Sequence, residues 1–494
     1  MLGTARRFIP STRHRIVRAA ALATAALAAA ACSGTGITNS SPSGGASAQA
    51  STPTAADSLS LSAPASSTGA NWPEYGANPA RTGAAAGAPR AGALSTAWVA
   101  RLDGAVYGQP LVVGSEVIAA TENDSVYALN RTTGKTIWRT HVGTPVQQPP
   151  PNGCGNVYPL GITGTPIYDA GNGLVYAVAE VTGYHHMLVA LDATTGALRL
   201  HRSLDIPTSA NQPAFNQQRP ALAIDNGRVY ATFGGLSGDC GPYQGSVVSA
   251  PLAGDGPLTS WRTPTSREGA IWAPGGPVVG PDADLWVSIG NGASGIGDQY
   301  DGSDSVAEFS PDLQRVAYFA PTTWADDNDH DLDLGSTQPA LTAGNTVFIM
   351  GKRGVGYLLS AAKLGGIGGQ IAEQSICKAF GTAAVSGSMV YEPCRDDGGL
   401  AAVQVSAADK TIKVLWRGPS DSNGSPVVGG GAVWVTHYSD DGHGGTLYAL
   451  DPDTGKIEHQ VSIGQDLPHF SSLSLSGSSA YVNTLSGITA INGA

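Results

Sequence analysis

The chain has 494 residues, of which 41% are apolar and only 13% charged, with 66 glycines and a formal charge of −11. The apolar share is enough for a real core, and so much glycine points to many tight turns. Five of the 27 Lys and Arg lie in the first 31 residues and none of the 38 acids does, so the rest of the chain is strongly acidic. That excludes nucleic acid as a partner, because phosphate binding needs a cationic face.

Residues 1–31 read as an export signal. Arg6, Arg7, Arg13, Arg15 and Arg18 form a positive start, and residues 19–31 are apolar or small, too short a run to span a bilayer. The stretch "LAAAAC" ends in Cys32 and resembles a bacterial lipobox, in which the Cys is lipidated; Ala29 stands where the usual Leu would be. Residues 32–70 are nearly all Ser, Ala, Gly, Thr and Pro, with Asp57 the one charge. Such a segment cannot bury enough surface to order itself, and as a flexible coil it spans about 35 Å. The expectation is a membrane tether followed by a folded body over 71–494.

The body repeats itself. "VYALNRTTGKTIWRTHVG" (Val126–Gly143) returns as "LVALDATTGALRLHRSL" from Leu188 and as "LYALDPDTGKIEHQVSIG" (Leu447–Gly464). From about residue 97 the chain cycles through four short strand-like runs separated by turn residues, the third of the "YALD" type and the fourth often carrying a Trp (Trp138, Trp261, Trp416). First strands are expected near residues 109, 165, 219, 276, 337, 382, 425 and 471. Eight four-stranded units at this spacing predict an all-β, eight-bladed propeller. The eighth unit has only three strands, and "LSTAWVARLDG" from Leu94 is a Trp-bearing fourth strand without a blade. Joining the two would close the ring and leave no exposed sheet edge. Within the motif, Tyr and Leu face a buried side, Asp and Thr satisfy turn backbone groups, and Gly supplies positive φ.

The "YALDxxTGKxxW" repeat, with the opening "WPEYGANPARTG" (Trp72–Gly83), resembles the pyrroloquinoline-quinone (PQQ)-type β-propeller family. The resemblance implies the fold over residues 72–494. It leaves function open, since the family holds quinoprotein dehydrogenases and also cofactor-free propellers such as the lipoprotein BamB.

Counting strands assigns every loop to a face. Loops between the second and third strands, and between blades, share one face, here called the top. Four cysteines remain beside Cys32, and all four fall in top loops. Of three possible pairings, Cys154–Cys240 and Cys377–Cys394 join the same or neighbouring blades and are expected as loop staples. His185 and His186 read as a solvated loop.

The repeat breaks most in the top loops of blades 4 and 5: Ser288–Val306, Pro321–Pro339 and Met350–Leu359. Their order resembles the quinoprotein alcohol dehydrogenase segment in which an Asn and an Asp hold Ca²⁺, the Asp acts as base and a Lys bonds the quinone. The resemblance places Asn291 and Asp331 as metal ligands, Asp331 also as base, and Lys352 on the cofactor, with Asp326 or Asp329 as alternatives to Asp331. The departures are an absent adjacent Cys pair, an absent third ligand Glu and an absent haem motif. Two readings therefore stand: a tethered, monomeric, non-enzymatic propeller that binds a protein, cell-wall or small ligand on its top face, or a dehydrogenase using PQQ and Ca²⁺.

Overall fold

A computed structural model describes residues 71–150, 153–395, 398–438 and 444–494. The expected signal segment, Cys32 and the tether lie outside these residues. Eight sheets form, each with a four-stranded antiparallel core. Blade 1 runs Leu111–Val113, Glu116–Ala120, Ser125–Asn130 and Thr136–His141. Blades 2 to 7 follow over 167–203, 223–262, 278–320, 340–375, 384–417 and 427–462, and blade 8 takes 473–492. Each first strand begins two to four residues after its sequence-expected position.

Ring closure is as expected. Ser95–Arg101 pairs antiparallel with Gly487–Asn492, from Ser95↔Asn492 to Arg101↔Gly487, and supplies the fourth strand of blade 8.

Both faces of a blade are buried, so the core is a ring of sheet-on-sheet layers. In the first repeat, Tyr127 and Leu129 pack toward blade 8, while Val126 and Ala128 pack toward blade 2. The Asp–Thr–Gly turn works as read: Asp192 Oδ1 accepts from the Thr195 amide (3.0 Å) and hydroxyl (2.9 Å), and Asp451 does the same for Thr454. Its Gly has a second duty. Gly134, Gly196 and Gly455 all have φ near 70°, and a Cβ at each would sit within 2.6 Å of Trp98, Trp138 and Trp416 of the preceding blade. The repeat thus docks Trp98, Trp138 and Trp416 onto the next blade's turn, and Trp138 Nε1 donates to Ala193 O (2.9 Å) there.

The Trp72–Gly92 segment is not a blade. It is a strap across the lower ends of the innermost strands. Backbone bonds join Trp72 to Val112 (blade 1), Pro73 to Tyr168 (blade 2), Pro79 to Val279 (blade 4), Thr82 to Val385 (blade 6) and Gly83 to Val428 (blade 7). From it, fully buried Arg81 donates to Glu74 Oε2 (2.6 Å), Tyr75 O (3.0 Å), Leu222 O (2.6 Å) and Pro277 O (3.3 Å). Gln109 of blade 1 accepts from Trp72 Nε1 (2.7 Å) and donates to Ser472 of blade 8 (2.8 Å). The strap ties most of the ring together.

Candidate functional site at the top mouth

Asn291 and Lys352 leave the second strands of blades 4 and 5 in the same register, each two residues past the strand end (Ile289, Met350) and after a glycine. The glycines are required by close approach. A Cβ on Gly290 would lie 1.9 Å from Asp333 Oδ1, and one on Gly351 would lie 2.2 Å from Asp333 O. The loop between them carries one short α-helix, Trp324–His330, ended by Asp331 in the left-handed conformation (φ 55°). That cap turns the chain inward and delivers Asp331 and Asp333 between the two blade exits.

The three residues singled out from sequence converge. Asn291 Nδ2 donates to Asp331 Oδ1 (2.8 Å), and Lys352 Nζ donates to the same oxygen (2.7 Å). The alternatives point elsewhere: Asp326 pairs with Arg353 and His330, and Asp329 accepts from the Ile296 amide (3.4 Å). Sequence reasoning missed Asp333. It is nearly buried, 2.5 Å from Lys352 Nζ, and accepts from the Asn291 amide (3.1 Å) and Trp272 Nε1 (3.3 Å). The "DLD" spacing, two carboxylates one residue apart after a helix stop, was the available signal.

Burial opposes the charge on Lys352, but Asp333 and Asp331 outweigh it and hold the ammonium above its ordinary range. Asp239, beside Cys240, is raised by burial and then by the Asp333 and Asp331 charges, against a 2.6 Å bond from the Tyr243 hydroxyl. Asp304 is fully buried and raised well above its usual value by burial and by Asp333. The site is therefore an acidic pocket with one resident ammonium.

Aromatic rings occupy the mouth beside it. Trp272 lies before blade 4, Phe380 before blade 6, and His469 and Phe470 before blade 8. Trp272 sits 6.5 Å from Phe380 and 6.1 Å from Phe470, tilted by 59° and 55°, and the two Phe rings are parallel at 6.4 Å. Lys352 lies over Trp272 and Phe380, Arg395 over Phe380, and Arg219 over Phe470. Both disulfides form as expected, and Cys377–Cys394 clips the loop that presents Phe380 and Arg395.

A bound Ca²⁺ and quinone would need oxygen ligands and a slot between parallel walls about 7 Å apart, twice the carbon contact distance. Asn291 Oδ1 is buried without a partner and is a suitable donor. However, Lys352 Nζ occupies the space between the two carboxylates, among the described residues no ring lies parallel to Trp272, and the one parallel pair described at the mouth, Phe380 and Phe470 at 6.4 Å, is closer than the slot requires. As arranged, the residues do not fit the pair. Among the described residues, no three His, Cys, Asp or Glu side chains are grouped to hold a metal ion.

His185 and His186 are not a solvated loop. They begin a strand, His185–Asp192, and His186 is buried between Asp205 (2.8 Å) and Glu180 (3.6 Å). Burial works against its charge, yet the two carboxylates lift it to about 10.

Residues 91–291 match the family described as outer membrane protein assembly factor BamB. No curated protein matches the chain. Among solved structures, a quinohemoprotein alcohol dehydrogenase from Pseudomonas putida HK5 is similar at 14% identity and TM-score 0.61, over 86% of this chain and 80% of that one. BamB from Moraxella catarrhalis is similar at 16% and 0.54, over 81% and 99%. A europium-containing methanol dehydrogenase is similar at 16% and 0.58, over 84% and 89%. At these identities the likeness is one of fold.

Proposed function

Starting from a chain that is an eight-bladed propeller of PQQ-type repeats, we propose that it is a non-enzymatic binding protein that recognises its partner through the top-face loops. The partner class is a protein, a cell-wall component or a small ligand. The observation that carries this reading is the state of the mouth. Lys352 is committed to Asp331 and Asp333, and Trp272 stands tilted by 59° and 55° to the Phe380 and Phe470 rings beside it, with no flat wall facing it among the described residues. Two stapled loops on the same face favour a preformed recognition surface, since ordering cost is met in advance.

We propose further that the protein works outside the cytoplasm, held at a membrane by a lipid on Cys32. Two disulfides suit an oxidising compartment. Among the described residues no helix is long and apolar enough to cross a membrane. Cys32→Ala should release the protein into the medium; retention at the membrane would refute the anchor.

One observation favours the second reading, a PQQ- and Ca²⁺-dependent dehydrogenase: Asn291, Asp331 and Lys352 do meet at the channel mouth, with Trp272 alongside. Dye-linked alcohol and sugar oxidation by protein incubated with both cofactors separates the two. The binding reading predicts no turnover above buffer, and sustained turnover lost in Asp331→Asn would establish the enzyme.

A further inference from the structure

Away from the mouth triad, the top seam between blades 1 and 2 contains carboxyls that form no ion pair among the described residues. Asp124 is fully buried and neither of its oxygens has a hydrogen-bond partner. It is pressed against glycine backbone: a Cβ on Gly161 would lie 2.8 Å from Oδ1, and one on Gly143 3.2 Å from Oδ2. Glu122, two residues earlier and equally buried, accepts from the Gly161 amide through Oε2 (2.8 Å) and leaves Oε1 without a partner.

The charged neighbours explain why. From blade 2, Glu180 faces both carboxyls, but its own partners are the Gln218 amide (2.7 Å) and His186. His186 in turn is shared with Asp205. From blade 1 the two acids face each other. The cation from the blade 3 approach is Arg219, which among the described residues forms no carboxylate ion pair; its guanidinium lies 3.4 Å from His469 and over Phe470. His469 supplies no charge, because burial, then Arg219 and Arg395, push it down to about 3. Thr163 is the remaining polar neighbour, on the blade 2 approach. An isolated buried carboxylate is too costly to persist, and such a group takes up a proton instead.

We propose that Glu122 and Asp124 form a proton-operated switch in this seam, neutral in the arrangement described and coupled to the mouth through Arg219. On ionising, Glu122 offers Arg219 a carboxylate partner, which it lacks among the described residues, and draws the guanidinium away from Phe470 and His469. The step is a proton release to solvent and needs no co-reactant. It rests on the reading that the top face is the binding face, and gives that face a dependence on external pH.

Burial, opposed by the Gly161 bond, pushes Glu122 up to about 8, and burial with the charges of Glu122 and Glu180 pushes Asp124 to about 8. Both folded values exceed the unfolded ones of 4.5 and 3.8. The fold therefore favours the protonated forms. Their contribution is complete below about pH 4 and is lost as pH rises through about 8.

The test is thermal melting of wild type, Asp124→Asn and Glu122→Gln between pH 5 and 9. Wild type should lose stability with rising pH, and the amides should flatten that slope, so that Asp124→Asn melts above wild type at pH 8.5 and not at pH 5. A protonated-carboxyl infrared band in wild type at pH 6, bleaching by pH 9 and diminished in Glu122→Gln, is the readout that needs no stable Asp124 variant. No such band, an unchanged slope in both variants, or an EDTA-sensitive melt would overturn the proposal, the last by showing a cation in place of the proton. None of these readouts depends on partner binding, so their failure leaves the proposed function standing.

Discussion

Replacing Arg81 with Ala should destabilise the whole ring. The guanidinium is fully buried, paired with Glu74, and donates to carbonyls of the inner ends of blades 3 and 4. Removing one partner of a buried ion pair strands the other, which costs about 3–5 kcal/mol. The entropy of unfolding for a body this size is roughly 0.9 kcal/mol per kelvin, so the melting temperature should fall by about 3–6 °C. Calorimetry on Arg81→Ala reads the drop, and limited proteolysis should show the strap cut first. Glu74→Gln/Arg81→Met removes both charges and should recover much of the loss, since a buried pair exchanged for neutral groups is close to neutral. Arg199→Ala breaks a solvent-screened surface pair with Asp192 and should leave the melt close to wild type. An Arg81→Ala melt within 1 °C of wild type, or a double variant no better than the single, would refute the strap as a tie across the ring.

Gly196→Ala should cost more than about 1 kcal/mol, read by urea titration, because its φ of 70° disfavours a side chain and Trp138 fills the space. Reduction should destabilise through both staples, by about 3 kcal/mol for the Cys377–Cys394 loop and between 4 and 5 for Cys154–Cys240, on chain-entropy grounds; melts with and without dithiothreitol check the sum. Lys352→Met should unmask cation affinity by vacating the space between Asp331 and Asp333. Terbium luminescence sensitised by Trp272 should then saturate in the variant and stay weak in wild type.

The architecture was legible because each blade restates the same local chemistry. The Asp–Thr–Gly turns gave the period, and the orphan Trp98 strand gave the closure. Loop faces followed from counting, which is why the disulfide pairs could be anticipated, whereas the grouping of Asn291, Asp331 and Lys352 was implied by the family resemblance of their segments. What remained hidden depends on separations that no local pattern encodes. Arg81 meets Leu222 and Pro277 across most of the ring, and Gln109 meets Ser472 from the far end of the chain. His186 lies 19 residues from Asp205, and only strand pairing brings Glu180 opposite it. Trp272 carries no motif of its own, and its place at the mouth follows from the turn before blade 4.

The most direct measurement is a titration of the purified protein with PQQ at saturating Ca²⁺, following tryptophan fluorescence and then quinone absorbance after gel filtration. A mouth filled by its own rings and ammonium predicts no saturable quenching and no quinone travelling with the protein. Stoichiometric retention of the quinone, lost in Trp272→Ala, would contradict the account.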